Sequence, residues 1–157
     1  MEKVPSPSTS LISFLLLIIF LIPFIFYLIT LQNTLKAISA ENRKMQPSQV
    51  WLMLVPIVGI VWHFIIVSRI SDSVKAEYLL RAIDLQESRP GYSIGLTMCI
   101  ANCIALFSDL LGVVSSIAAI LFLFCWIIYW YKVASFKKQI TNSSLITLDA
   151  EINFKEN

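Results

Sequence analysis

Between Lys3 and Lys36 the chain carries no charged side chain. Inside that gap residues 11–31 read LISFLLLIIFLIPFIFYLITL, where only Ser, Thr, Tyr and Pro interrupt aliphatic and phenyl groups. A run this long matches the hydrocarbon core of a bilayer, about 30 Å, at ~1.5 Å of helical rise per residue. In hydrocarbon the backbone must satisfy its own hydrogen bonds, so the run is expected to be a helix, kinked at Pro23. Its apolar core exceeds the ~7–15 residues of a signal-peptide h-region, and Lys3 before it is offset by Glu2. The span is therefore expected to be retained rather than cleaved.

The rest of the chain repeats the pattern. Hydrophobic residues make up 57% of the sequence and charged ones 14%, against roughly a quarter charged in a soluble domain. Further apolar runs cover residues 50–67, 92–107 and 113–131. These predict an all-α fold, an integral membrane four-helix bundle over residues 1–140, with a polar tail at 141–157. The short SDLLG connection makes the third and fourth helices a hairpin. Pro47 is placed to open the second helix, and Trp51 to anchor it at the interface, while Pro56 and Gly59 loosen its middle. The string WIIYWYK at 126–132 reads as an interfacial aromatic belt followed by the first charge.

Residues 68–88 differ. They are charged, with Ile70, Val74 and Tyr78 on one helical face, and Glu77 and Arg81 spaced for an i,i+4 ion pair. The expectation is a cytoplasmic amphipathic extension of the second helix along the membrane surface, stopped by Pro90-Gly91. A docking helix for a partner is the alternative. With four crossings, Lys3, Arg69, Lys75, Arg81, Arg89, Lys132, Lys137, Lys138 and Lys155 share one side, against Lys36, Arg43 and Lys44 on the other. The positive-inside rule then places both termini in the cytoplasm of a cell (inner) membrane.

Candidate chemistry is sparse. His63, the sole histidine, lies between Trp62 and Phe64. An intramembrane ionisable group faces the bundle interior, where it packs with a hydrogen-bond partner or serves a proton or substrate path. Asn102 is the other strongly polar mid-span residue, and Asp109 is expected to cap the fourth helix in the hairpin turn. His63, Cys99 and Cys125 fall at similar depths on three helices, a ligand set that suits zinc, yet single cysteines on separate helices form no motif. No metal and no cofactor is assigned. Nucleophile elbows, P-loops and GxGxxG are missing, so the chain is not expected to be an enzyme. A net charge of +2 gives no nucleic-acid footprint. Arg43, Lys44, Trp51, Arg69 and Arg81 are the candidate contacts to lipid or a partner.

Asn42-Arg43-x-Met45-x-Pro47-x-x-Val50-Trp51-Leu52-x-Leu54-x-Pro56, then Trp62 and Val67-x-x-Ile70-x-Asp72-Ser73, resembles an uncharacterised family of small four-span membrane proteins of Bacteroidetes type. Pro90, Gly91, Tyr92, Ile94, Gly95 and Leu96 match that family's start to the third span. Cys125 to Trp130, Lys132 and Ala134 match its end to the fourth. Ser48 departs from the glycine expected after Pro47, which affects only the local turn. The resemblance spans about residues 32–140 and implies location and topology, with no activity. The reading that follows is a non-enzymatic accessory or scaffold subunit, in contact with the bilayer and with another membrane protein or a second copy. A small oligomeric transporter or channel, with a polar path near His63 and Asn102, is the alternative.

Overall fold

In a computed structural model, residues 7–107 and 112–156 are described, and they form helices joined by turns and short connections, with no strand among them. Helix α1 is Pro7–Ala37, and a 3-10 helix follows at Pro47–Leu54. Then come α2 (Val58–Leu80), α3 (Tyr92–Ala105) and α4 (Val113–Glu156). Helices α1 and α4 each carry a stretch long and apolar enough to cross a membrane, Leu17–Ala37 and Val113–Ile146, while α3 is apolar but shorter. By length and composition, then, the chain has the character of a membrane protein.

Side-chain bonds fix the relative directions. Trp130 Nε1 donates to Thr30 Oγ1, and Thr34 Oγ1 donates to the Val133 carbonyl, so residue numbers rise together and α1 and α4 run parallel. Helix α2 also runs parallel to α1, with His63 bonded to Tyr27 and Glu77 bonded to Ser39. Helix α3 returns antiparallel: Gly95 faces Val67 and Tyr129, and Ser115 Oγ donates to the Ala105 carbonyl.

The run at 50–67 is not one helix. Pro56 pushes Val55 into an extended conformation (φ −79°, ψ 118°), which ends the 3-10 helix. Ile57 then takes φ 66°, ψ −56°, and the Val58 N–H donates to the Pro56 carbonyl at 2.7 Å. That is a γ-turn with positive φ, a rare and strained conformation for a β-branched residue. The loosening expected at Pro56 and Gly59 is thus a full reversal. The 3-10 helix and α2 form a hairpin, tied by Trp62 Nε1 donating to the Gln49 carbonyl. Gly59 is required there, because a Cβ at that position would lie 2.3 Å from the Met53 carbonyl oxygen.

This hairpin corrects the expected alternation of sides. Four crossings would separate the 38–46 connection from residues 72–81, yet the Lys44 N–H donates to Ser73 Oγ at 2.9 Å, and Ser39 and Asn42 both bond Glu77. The two segments share one end of the molecule. Helix α2 likewise continues through residues 68–80 as a core element rather than a surface one: Ile70, Val74 and Tyr78 are buried. It stops at Leu80, well before Pro90. Ala82 (φ 53°) closes it, with the Ile83 N–H donating to the Tyr78 carbonyl, a Schellman arrangement that satisfies the last carbonyls.

The core is a seam of Tyr27, Leu28, Leu31 and Leu35 from α1, Ile66, Val67 and Ile70 from α2, Met98 from α3 and Tyr129, Val133 and Ile140 from α4. On α4 these follow the 3.6-residue period, which aims one stripe inward. Trp126, Tyr129 and Trp130 lie on that stripe and pack around Tyr27, with ring centroids 5.6, 6.4 and 6.1 Å from it. Of the expected aromatic belt, Tyr131 alone faces outward, at 77% exposure.

Candidate functional site

Two polar centres interrupt the apolar packing. The deeper one is built on His63. Its Nε2 shares a 3.0 Å hydrogen bond with the Tyr27 hydroxyl, and both side chains are buried. In an apolar surround, each group supplies the partner whose absence would cost the other its full desolvation energy. Beside His63 lies an open cavity of about 200 Å³, lined by Asn102 of α3, by Phe24, Phe122 and Trp126, and by the hairpin tip at Val55, Pro56 and Ile57. The Asn102 side chain makes no hydrogen bond to the protein among the described residues. His63 and Asn102 therefore meet at one cavity, although sequence depth alone left them vertically offset. Asp109 lies outside the described residues.

The second centre is at the charged end, where Glu77 is fully buried. Its carboxylate accepts from the Ser39 N–H at 3.1 Å, Ser39 Oγ at 2.8 Å, Asn42 Nδ2 at 2.7 Å and Arg81 Nε at 2.6 Å. The other side of the Arg81 guanidinium donates to the Ile140 carbonyl and to the hydroxyls of Ser143 and Ser144. One carboxylate thus joins the end of α1, α2 and α4. Burial alone would raise its pKa, but the hydrogen bonds from Asn42, Arg81 and Ser39 outweigh burial and hold it below the usual value.

A third contact fixes the 81–91 connection. Arg89 places Nε and Nη2 on Asp72 Oδ1 at 3.1 and 2.8 Å, and stacks 3.9 Å above the Tyr92 ring. Glu87 accepts from Lys132 and from the Gly91 N–H, and these bonds lower its pKa against the smaller effect of burial.

The five expected contact residues divide. Arg43 turns back on its own chain, donating to the Ile38 and Lys36 carbonyls at 2.8 and 3.2 Å and capping α1. Trp51 donates to Gln32 Oε1 at 3.3 Å and packs against the core. Arg81 belongs to the Glu77 centre. Lys44 and Arg69 remain exposed and outside the salt bridges. Sequence reasoning passed over Glu77 except as one half of an i,i+4 pair. The available signal was Ser39 and Asn42 just past α1, two short polar side chains preceding the next hydrophobic run.

Cys99 and Cys125 are buried free thiols, and no three His, Cys, Asp or Glu side chains among the described residues gather in a group that could hold a metal ion. Compared with known protein families, with curated proteins and with solved structures, the chain gives no match.

Proposed function

We propose that the chain is a multi-pass membrane protein that works without chemistry of its own, as an accessory or scaffold subunit for another membrane protein or a second copy. The observation that carries this reading is where its buried polar groups are spent. His63 holds α2 to α1, and Glu77 and Arg81 hold α1, α2 and α4 together. A transport path needs such groups free along its length, whereas here they fasten helix to helix. Exposed Lys44 and Arg69 are the contacts left for a partner's acidic surface. The cavity at His63 and Asn102 favours a second reading, a small oligomeric channel or transporter with a path there.

The finer topology belongs to the same proposal. Helices α1, α3 and α4 cross, and the hairpin of the 3-10 helix and α2 enters and leaves at the charged end. Only Lys3 of the twelve Lys and Arg precedes residue 36, so the charged end faces the cytoplasm of the inner membrane. Because α1 and α4 run parallel, their outer ends lie on opposite faces: the C-terminal end of α4 is cytoplasmic and the N-terminal end of α1 is not. This replaces the expectation of two cytoplasmic termini. Membership in the small Bacteroidetes-type membrane family is part of the proposal.

The test is native mass spectrometry of the chain extracted from its own membrane in mild detergent. A stoichiometric subunit or second copy is expected, released by Lys44→Glu or Arg69→Glu and retained by Asn102→Leu. A monomer whose reconstituted vesicles show solute flux that Asn102→Leu abolishes overturns the scaffold reading in favour of the channel.

A further inference from the structure

The geometry points to a binding site for an anionic phospholipid headgroup in the groove between α1 and α4 at the charged end; the inference rests on the membrane reading above. The groove holds about 420 Å³ and is lined by Thr30 and Asn33 of α1 and by Lys137, Lys138, Thr141 and Asn142 of α4, with Ala134. No carboxylate lines it. Lys137 and Lys138 are exposed and take part in none of the salt bridges among the described residues. The side chains of Asn33, Thr141 and Asn142 make no hydrogen bond to the protein there. Two unneutralised ammonium groups beside three unused donors are what a phosphodiester needs, since its oxygens accept from any N–H or O–H and its charge seeks a cation.

Depth selects a lipid over a soluble phosphate. The floor of the groove is the bond from Trp130 to Thr30, about two turns below Lys137. Trp130 also ends the charge-free run of α4, since Lys132 is the first charge after it. That first charge marks where α4 leaves the apolar run and reaches headgroup depth. Directly below, Phe26 and Ile127 leave 58% and 60% of their surface uncovered, an apolar seam along which acyl chains can lie. Basic pockets between transmembrane helices on the cytoplasmic side recognise anionic headgroups by this combination of charge and depth.

The experiment uses the full chain in nanodiscs of equimolar dioleoyl phosphatidylglycerol and dioleoyl phosphatidylcholine, with native mass spectrometry reading the lipids that stay bound. The wild type is expected to retain phosphatidylglycerol preferentially. K137Q/K138Q should lower that preference by roughly 30-fold, the equivalent of ~1 kcal/mol per lysine. Asn33→Ala should weaken it more modestly, and Lys75→Gln, a charge on α2, should leave it intact. Equal retention of the two lipids, no effect of K137Q/K138Q, or an equal loss in Lys75→Gln overturns the site. Displacement of the lipid by millimolar inorganic phosphate also overturns it, by making free phosphate the ligand. Release of the chain from membranes by alkaline carbonate is a separate failure, that of the membrane reading itself.

Discussion

Removing the Glu77 carboxylate is expected to open the charged end of the molecule. In Glu77→Ala the Ser39 N–H and hydroxyl, the Asn42 amide and one edge of the Arg81 guanidinium lose their acceptor together. Glu77 is fully buried and the Arg81 side chain is 21% exposed, so water replaces little of what is lost at the carboxylate. Breaking a buried charge pair by deleting one partner costs about 3–5 kcal/mol. Partial access of water to Arg81 places the expected loss near the low end, ~3 kcal/mol. Glu77→Gln keeps the shape but turns an NH₂ toward donors, and should cost about 2 kcal/mol. The assay is reversible unfolding in mixed micelles followed by circular dichroism. The pH dependence gives a second readout. Because the folded-state pKa of Glu77 lies below its ordinary 4.5, its contribution is complete above that pH and declines as pH falls from 4.5 through the folded value. The wild type should therefore lose stability on acidification more steeply than Glu77→Gln. A Glu77→Ala protein within 0.5 kcal/mol of wild type, with an unchanged acid limb, refutes the reasoning.

Three further outcomes follow from single contacts. Tyr27→Phe strands His63 and should cost about 1–2 kcal/mol, while adding His63→Leu should recover part of the loss, because an apolar pair leaves nothing unsatisfied; a double-mutant cycle in the same unfolding assay reads the coupling. Gly95→Ala would set a Cβ 2.6 Å from Val67 Cγ1 and 2.8 Å from Tyr129 Cε2, so it should destabilise by about 1–3 kcal/mol and be relieved by Val67→Ala, with thermal midpoints deciding. Ala82→Gly should stabilise by roughly 1 kcal/mol, since Ala82 holds φ 53° at the end of α2 where glycine carries no Cβ penalty; equal or lower stability contradicts this capping assignment.

Helix content and the apolar character of α1, α3 and α4 were legible from run length and the absence of charge, which depend on composition over long windows. The Tyr92 start of α3 after Pro90-Gly91 was legible as well, because Gly91 takes a left-handed conformation that few other residues adopt. The second apolar run misled, since hydropathy cannot distinguish a crossing from a hairpin of equal apolarity. Pro56 and Gly59 carried the information, but a proline can either kink a segment or end it, and the sequence does not show which. On the proposed topology, that one reversal shifts the side assigned to every later segment. For the aromatic string at the end of α4, helical period decides more than residue type. Positions 126, 129, 130 and 133 fall on one helical face, and that face meets Tyr27. Arg43 and Arg81 look like outward contacts in the sequence, which shows a charge but not the carbonyl or carboxylate it reaches. The meeting of His63 with Asn102 needed the hairpin to be known first.

The central claim is that residues 38–46 and 81–91 lie on the same side of the membrane as the start of the C-terminal tail. It is tested most directly by labelling single cysteines placed at Glu41, Asp84 and Thr141, all exposed, in a chain whose Cys99, Cys103 and Cys125 have been replaced by alanine. An impermeant maleimide is applied to intact spheroplasts and, separately, to inside-out vesicles. All three positions should label in the vesicles and be protected in the spheroplasts. Labelling of Glu41 from one face and Asp84 from the other would restore four alternating crossings and contradict the hairpin.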